Sequence, residues 1–431
     1  MPGVINAELS IQATSGLRQM ESNCVAFAVG FYFSFRLMIV LFSVRVLGLE
    51  PSTGSGLSLA LDIALLGLVC FNLSGSALDS LRSLCRHGSV RWVLAFLAIS
   101  FCSLAWSETA SLFNSVAYWL GMAVDVGIVA MLQRTSSAES VSRSLMKGFI
   151  WSTCLLALVA WIMPAQSDLR LGDEQFFNTN EIGNLCAFAI FLAQYLMRRR
   201  DGKWGLITLF LVLTLLRSLS KTTFAAFLAS EVFLVVQDRS MSRRSKVILT
   251  TISLVLLLVF WGLFEAYYDV YTSAGNQVET LTGRTAIWLY VLGALQDHSW
   301  TLWIGHGFDA WWKVVPPFGD NFEARHAENE LLQQLYAYGL LGIVMLVGLY
   351  GSLYRQVRRL PRSPLRVFLL SWLLYIVIRG LAEADSFDLL LPLWSTVLIT
   401  VLAGHEAEAG STPAESHLLS KKVSARPCPQ A

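Results

Sequence analysis

Residues 246–266 read KVILTTISLVLLLVFWGLFEA, with no charged side chain between Lys246 and Glu265. As a helix this segment covers roughly 30 Å, the depth of a hydrocarbon core. It is one of twelve apolar runs, at about 25–47, 56–73, 90–106, 114–132, 144–163, 181–197, 204–219, 222–237, 246–266, 331–354, 365–382 and 388–404. Only 14% of residues are charged and 55% are hydrophobic, whereas soluble domains carry roughly 25% charged residues. The pattern predicts an all-α fold, a polytopic membrane bundle of about twelve transmembrane helices. Residues 1–24 precede it, 25–266 hold helices one to nine, 331–404 hold ten to twelve, and 405–431 follow.

Basic residues orient the bundle. The connectors between runs 2/3, 4/5, 6/7, 8/9 and 10/11 carry Arg82, Arg86 and Arg91; Arg134, Arg143 and Lys147; Arg198, Arg199, Arg200 and Lys203; Arg239, Arg243, Arg244 and Lys246; and Arg355, Arg358, Arg359, Arg362 and Arg366. These are 19 of the 32 Lys and Arg residues, and the connectors between them are poor in both. The positive-inside rule then puts these five connectors, and both termini, in the cytoplasm. Residues 1–23 are polar and the first run has no small-residue cleavage site, so no cleaved signal is expected. The tail from His405 is rich in Ala, Glu, Ser and Pro and is expected to be disordered.

The same rule places residues 267–330 outside, between helices nine and ten. This segment holds His298, His306 and His326, together with Trp288, Trp300, Trp303, Trp311 and Trp312. So long a loop, on a chain otherwise joined by short turns, marks where chemistry is expected. Thr282-Gly283 breaks the chain, and the apolar run Ala286–Leu292 is too short to span. An interfacial helix is therefore expected to start near Arg284. The tryptophans suit an interfacial belt, stacking on sugar rings, or both.

Several cations depart from the positive-inside pattern. Arg217, Lys221, Arg284 and Arg379 lie at or just beyond the outer ends of apolar runs. Cations at that level suit a phosphate whose lipid tail stays in the bilayer; pairing with Glu383, Asp385 or the loop acids is the alternative. A helix start beside Arg284 would add free N–H groups and partial positive charge. Within the membrane, Arg36, Asp62, Asp125 and Glu231 are costly and are expected to face the bundle interior. His326-Ala327-Glu328-Asn329-Glu330 leads into run ten. Its acids suit a helix N-terminus, and His326 offers a base of near-neutral pKa at the entrance to the bundle.

Other chemistries find no support. None of the seven cysteines lies in the outer segment, so no disulfide framework is expected there. There is no CxxC, HExxH or P-loop pattern, and the spacing of the outer histidines matches no standard ligand set. No metal, no cofactor and no nucleotide substrate is expected. A net charge of +2 gives no electrostatic reason to expect a nucleic acid partner.

The motifs together resemble a known family. Thr282-Gly283-Arg284-Thr285-Ala286-Ile287-Trp288, Gly305-His306-Gly307-Phe308-Asp309-Ala310-Trp311-Trp312, His326-Ala327-Glu328-Asn329-Glu330 and Tyr338-Gly339-Leu340-Leu341-Gly342 resemble the O-antigen ligase/polymerase superfamily. The nearest look is to Wzy-type and ExoQ-type exopolysaccharide polymerases. Ser218-Leu219-Ser220-Lys221-Thr222 is similar to the family's Ser-x-Ser-Arg-Thr turn. Phe177–Gly183 is similar to its Asn-x-x-Gly segment, and Arg379-Gly380-Leu381-Ala382-Glu383 to its Arg-Gly-x-x-Glu element. The resemblance runs in order over roughly residues 176–385.

It implies an enzyme of the bacterial inner membrane that joins undecaprenyl-diphosphate-linked oligosaccharides on the periplasmic face, with no metal or cofactor. It also implies roles. Arg284 would bind diphosphate, with Lys221 in the Ser-Arg-Thr arginine position and Arg217 and Arg379 as further cations. His326 or Glu328 would be the base. Trp311, Trp312 and Asn329 are candidates for glycan contact, and a chain-length-determining co-polymerase is a candidate partner. The leading expectation is a polysaccharide polymerase acting in exopolysaccharide or O-antigen synthesis. A ligase moving finished glycan to a lipid or protein acceptor uses the same chemistry. A secondary transporter is the third class, disfavoured by the lack of an internal repeat and of a long central cytoplasmic connector.

Overall fold

The computed structural model describes residues 2–72, 84–133, 138–164, 166, 169–172, 177–239, 241–273, 281–318 and 323–407. The helices are α1 (Pro2–Arg45), α2 (Pro51–Asn72), α3 (Gly88–Ser103), α4 (Leu112–Leu132), α5 (Ala138–Ile162), α6 (Thr179–Arg198), α7 (Gly205–Ser218), α8 (Lys221–Gln237), α9 (Arg243–Ser273), α10 (Leu281–Ala294), α11 (Thr301–Ile304), α12 (Glu330–Arg359) and α13 (Pro364–Gly380). A last helix, α14, covers 393–407. No strand occurs among the described residues.

Each of the twelve apolar runs falls on a helix, leaving α10 and α11 as short helices of the outer segment. Six helices, within α1, α2, α4, α5, α9 and α12, are long and apolar enough to cross a membrane, and α3 and α7 are shorter apolar helices. At 1.5 Å per residue α7 reaches only about 21 Å; it hairpins into α8 through Leu219, whose φ is 57°.

Two boundaries differ from expectation. Helix α1 begins at Pro2, so residues read as a polar terminus continue the first helix. Helix α9 runs to Ser273, seven residues into the segment read as loop. No proline interrupts residues 3–24 or 267–273, and extending a formed helix adds one hydrogen bond per residue fixed. Arg82, Arg134 and the tail 408–431 lie outside the described residues.

Charge inside the bundle is paired. Arg36 Nη1 of α1 lies 2.6 Å from Asp125 Oδ2 of α4, and Asp62 of α2 is buried against Asp125 and Tyr32. Glu231 of α8 accepts from Gln194 Nε2 of α6 at 2.9 Å. Each pair joins two helices, so the cost of burying a charge is offset by a tie between spans.

The two ends of the bundle differ chemically. At one, Arg198 pairs with Asp238 at 2.6 Å, Arg199 with Glu406 at 2.7 Å and Lys147 with Asp201 at 2.8 Å. These ion pairs tie the ends of α5, α6, α8 and α14 among the basic connectors. The other end gathers the connector 104–111, helices α10 and α11, and residues 381–392.

A break in α12 seats the outer segment. Gly339 has φ 62° inside the helix, a left-handed conformation that costs an L side chain roughly 1–2 kcal/mol. Next to the break, the carbonyls of Tyr336 and Ala337 accept from the His306 and Gly307 N–H groups at 3.0 and 2.8 Å. A Cβ on Gly339 would sit 2.5 Å from the Trp303 carbonyl carbon, and one on Gly305 2.4 Å from that of Ala337. The two backbones therefore touch with no side chain between them.

Gly339→Ala is expected to lower the thermal midpoint of the detergent-solubilised protein by the equivalent of about 1–3 kcal/mol. Gly351→Ala, in the same helix with nothing within 4 Å of its Cβ position, is expected to leave it unchanged. Equal midpoints, followed by fluorescence-detected size exclusion after heating, would show that the backbones do not meet here.

Candidate active site

Helix ends deliver the site residues. Arg284 lies in the first turn of α10. Residues His326 to Asn329 lead into α12, which Asn329 caps by accepting from Leu332 N–H at 3.0 Å. Asn178 caps α6 through the N–H of Asn180 at 2.9 Å, setting Asn180 in the first turn. Arg379 closes α13, and Glu383 follows four residues later. Short polar residues accept the unsatisfied N–H groups at helix starts, so the caps also fix which neighbours face the entrance.

These side chains converge. Arg284 Nη2 lies 3.1 Å from Glu328 Oε2 and 4.0 Å from Glu383 Oε1. His326 Nδ1 lies 3.6 Å from Glu328 Oε1, and Nε2 lies 4.0 Å from Glu383 Oε2. Glu328 N–H donates to His326 Nδ1 at 3.2 Å, which assigns the ring proton to Nε2, toward Glu383. Glu383, 2% exposed, accepts from Asn180 Nδ2 at 2.8 Å, and Asn180 Oδ1 accepts from Ser220 Oγ at 2.8 Å. Arg379 is 4% exposed, and its Nε and Nη1 find no hydrogen-bond partner among the described residues. Glu330 closes the floor, accepting from Tyr350 OH at 2.8 Å and Leu390 N–H at 2.9 Å.

The electrostatics favour a neutral imidazole. Burial holds His326 below its ordinary pKa, against the upward pull of Glu383 and Asp385 and with help from Arg379 and Arg284. Burial, then the nearby Glu328 charge, raises Glu383 above the ordinary carboxylate value, against Arg379, His326 and Arg284. One ligand atom from each of His326, Glu328 and Glu383 falls within 4.8 Å of the others, close enough to hold a metal ion. The Arg284 guanidinium already occupies that carboxylate pair, and a second cation there would meet its repulsion. Arg284 and Arg379, and not these three acceptors, are the groups that could face an anion here.

Other sequence candidates are placed differently. Trp311 is 1% exposed, and its indole N–H donates to Ala324 O at 2.8 Å. It packs among Ile287, Val291 and Tyr336, so the expectation of a glycan platform there is corrected: a tryptophan filling the outer segment's own core has no face for a sugar. Trp312 is half-buried with the Arg325 guanidinium 5.4 Å from its ring. Asn329 donates to Leu381 O at 3.0 Å besides capping α12, which occupies it structurally. Arg217 donates to Leu169 O, turning it toward the connector 166–172. Lys221 opens α8 directly after Ser220 and so stands at the edge of the Asn180–Glu383 network.

Comparison with known proteins bears on this arrangement. Residues 206–347 match the family model described as Wzy_C, O-antigen ligase. That segment contains Lys221, Arg284, His326 and Glu328. The chain is therefore similar, over 142 of its 431 residues, to the O-antigen ligase family. It is also similar to an O-antigen ligase of Pseudomonas aeruginosa, 27% identical over 121 residues, which is 28% of each protein's length. The superfamily match leaves out Asn180, Arg379 and Glu383, which the fold brings to the same place.

Glu383 and Asn180 are the site residues that reading the sequence did not select. The resemblance touched both, in the Asn-x-x-Gly and Arg-Gly-x-x-Glu elements, yet nothing in their spacing signalled that they meet. Glu383→Ala is expected to destabilise the protein by about 3–5 kcal/mol, because it leaves buried guanidinium charge uncompensated. Glu383→Gln, which keeps an acceptor for Asn180, is expected to cost clearly less. Equal losses of thermal midpoint for the two variants would mean that the carboxylate charge balances nothing.

Proposed function

We propose that this protein transfers glycan from a polyprenyl diphosphate, and that it acts as a polymerase joining undecaprenyl-diphosphate-linked repeat units. The observation that carries this reading is the meeting of Arg284, His326, Glu328 and Glu383 near Arg379, whose Nε and Nη1 find no hydrogen-bond partner among the described residues, at the bundle end away from the basic connectors. The positive-inside rule supports a periplasmic setting for that end, and the reading takes the membrane to be the bacterial inner membrane. Its height at the helix ends suits a diphosphate whose lipid tail lies in the bilayer and whose glycan extends outward.

The chemistry follows from the residues. A hydroxyl of the acceptor sugar attacks the anomeric carbon of the donor. The new glycosidic C–O bond forms as the bond to diphosphate breaks, and the electron pair leaves on the diphosphate. His326, neutral at rest, takes the hydroxyl proton at Nδ1, its unprotonated nitrogen, in exchange for the Glu328 N–H bond there. Glu328 is engaged with Arg284 and holds it until phosphate replaces it. Arg284 and Arg379 then face the charge that builds on the leaving diphosphate, where preorganised donors act most strongly. Direct displacement inverts the anomeric configuration. Lys221 is a further point charge at the rim.

The second reading, ligation of finished glycan to a lipid or protein acceptor, is favoured by the names of the matched family model and of the Pseudomonas aeruginosa relative. The same site serves both. They differ in the acceptor, so they part in the deletion strain: loss of a polymerase leaves single repeat units, and loss of a ligase leaves long unattached chains.

Arg284→Ala is expected to lower transfer about 10²–10³-fold, and His326→Ala about 10²–10⁴-fold, at equal protein level in the membrane. The rate should rise with pH through a value below the ordinary histidine pKa of roughly 6.5, since the base works neutral and His326 is held low. Unchanged polymer yield and length in both variants, resolved on gels, would sink the assignment.

A further inference from the structure

A groove of about 430 Å³, lined by Gly88, Arg91, Trp92 and Ala95, opens at the bundle end of the basic connectors, and the transfer as proposed makes no use of it. The four residues form one stripe of α3, at the helical spacing that puts side chains on a single face. Helix α12 supplies the floor. The Trp92 indole lies over Gly348, where a Cβ would come within 2.6 Å of the ring, and the Cβ position of Gly88 lies 3.9 Å from Ser352 Cβ. Residue numbers rise along α3 as they fall along α12, so the two helices are antiparallel. On its other flank α3 turns Ser89 to Gln356 and Thr400, at 2.8 and 2.7 Å. The side of α12 away from Gln356 therefore borders the groove, and it carries Val344, Val347, Gly351 and Arg355. Both valines are exposed, and a Cβ on Gly351 would meet nothing within 4 Å.

Two guanidinium groups approach each other across this groove. Side chains on a helix lean toward its N-terminus. Arg91 therefore leans toward the start of α3, and Arg355, on the antiparallel α12, leans back from the helix end toward Arg91. Both are exposed. Neither pairs with an acid among the described residues, whereas Arg198, Arg199 and Lys147 at the same end do. Like charges that share a mouth without an acid between them favour an anion, and a guanidinium matches phosphate in a bidentate way. Trp92 is half-buried beside them, an amphipathic ring of the kind that sits at headgroup level. Away from the charges, Ala95, Val347 and Val344 continue as an apolar track toward the middle of the bilayer.

We propose that the α3–α12 groove binds one anionic phospholipid, its phosphate between Arg91 and Arg355 and an acyl chain along Ala95, Val347 and Val344. The paired cations select the headgroup, and the apolar track that leads from them selects a ligand with a tail. Basic pockets between spans at the cytoplasmic face take lipids of this class. The glycine floor gives the chain room, since Gly348 and Gly351 place no side chain there. A lipid so held bridges α3 and α12 at the end of α12 opposite His326. The proposal stands on this groove alone and does not depend on the transfer chemistry.

The test titrates phosphatidylglycerol into the full-length protein, stripped of lipid in detergent, and reads the bound species by native mass spectrometry. The first phosphatidylglycerol is expected to bind more tightly than phosphatidylcholine. Arg91→Gln and Arg355→Gln should each weaken it about tenfold, the loss expected of a hydrogen bond to a charged group. Arg362→Gln, which removes a cation of the same end beyond the groove, should leave it unchanged. Ala95→Trp fills the groove without altering charge and should also weaken binding, so it carries the test if an arginine variant fails to accumulate. Equal affinity in wild type and the groove variants overturns the site, as does phosphatidylcholine bound as tightly as phosphatidylglycerol. Displacement of the lipid by an equal concentration of inorganic phosphate overturns it as well, because the groove would then take the anion without its tail.

Discussion

A charge inside a hydrocarbon-bathed bundle must find a partner within the protein or withdraw to a helix end. Several buried charges among the described residues obey that constraint. Arg36 and Asp125 pair between α1 and α4, Glu231 finds Gln194, and the basic connectors interlace with Asp201, Asp238 and Glu406 at one end. Arg379 departs from it. It is buried at the opposite end with two nitrogens lacking hydrogen-bond partners among the described residues. Neighbouring carboxylates balance its charge without engaging those nitrogens. A guanidinium left in that state is what the proposed diphosphate would meet.

The outer segment depends on the same economy of polar groups. A loop lying on a helix bundle needs backbone acceptors, and an intact helix has none to offer. The break at Gly339 releases the Tyr336 and Ala337 carbonyls, which receive the His306 and Gly307 N–H groups. Once seated, the segment builds its own small core around Trp311, Tyr336 and Ile287. That core fixes α10 as a rigid support, so Arg284 is presented from a packed element and not from a mobile loop.

Within the site, acid and base are separated by environment. Burial keeps the His326 imidazole neutral and raises Glu383, while Glu328 remains engaged with Arg284. The family match covers residues 206–347, which accounts for the arginine, the histidine and Glu328. Asn180, Arg379 and Glu383 come from either side of that segment. The wall facing Arg284 and His326 is therefore supplied by α6 and by the turn after α13, and the site exists only in the whole bundle.

The helical, membrane-spanning character of the chain was written in the sequence, because apolar runs of membrane length and the spacing of Arg and Lys act locally and need no knowledge of neighbours. The start of a helix near Arg284 and the burial of Asp62 and Asp125 were legible for the same reason. Which residues meet was not. Glu383 and His326 are 57 positions apart and Asn180 and Glu383 are 203, and no periodicity links them. Trp311 and Trp312 look alike as letters, yet one fills a core and the other faces Arg325, since burial depends on what the fold lays against each. His306 likewise finds its partners only in the fold, a carboxylate 198 residues away and a carbonyl at a helix end. Tertiary structure decided these points because hydrogen bonding and desolvation belong to pairs of groups, and only the fold chooses the pairs.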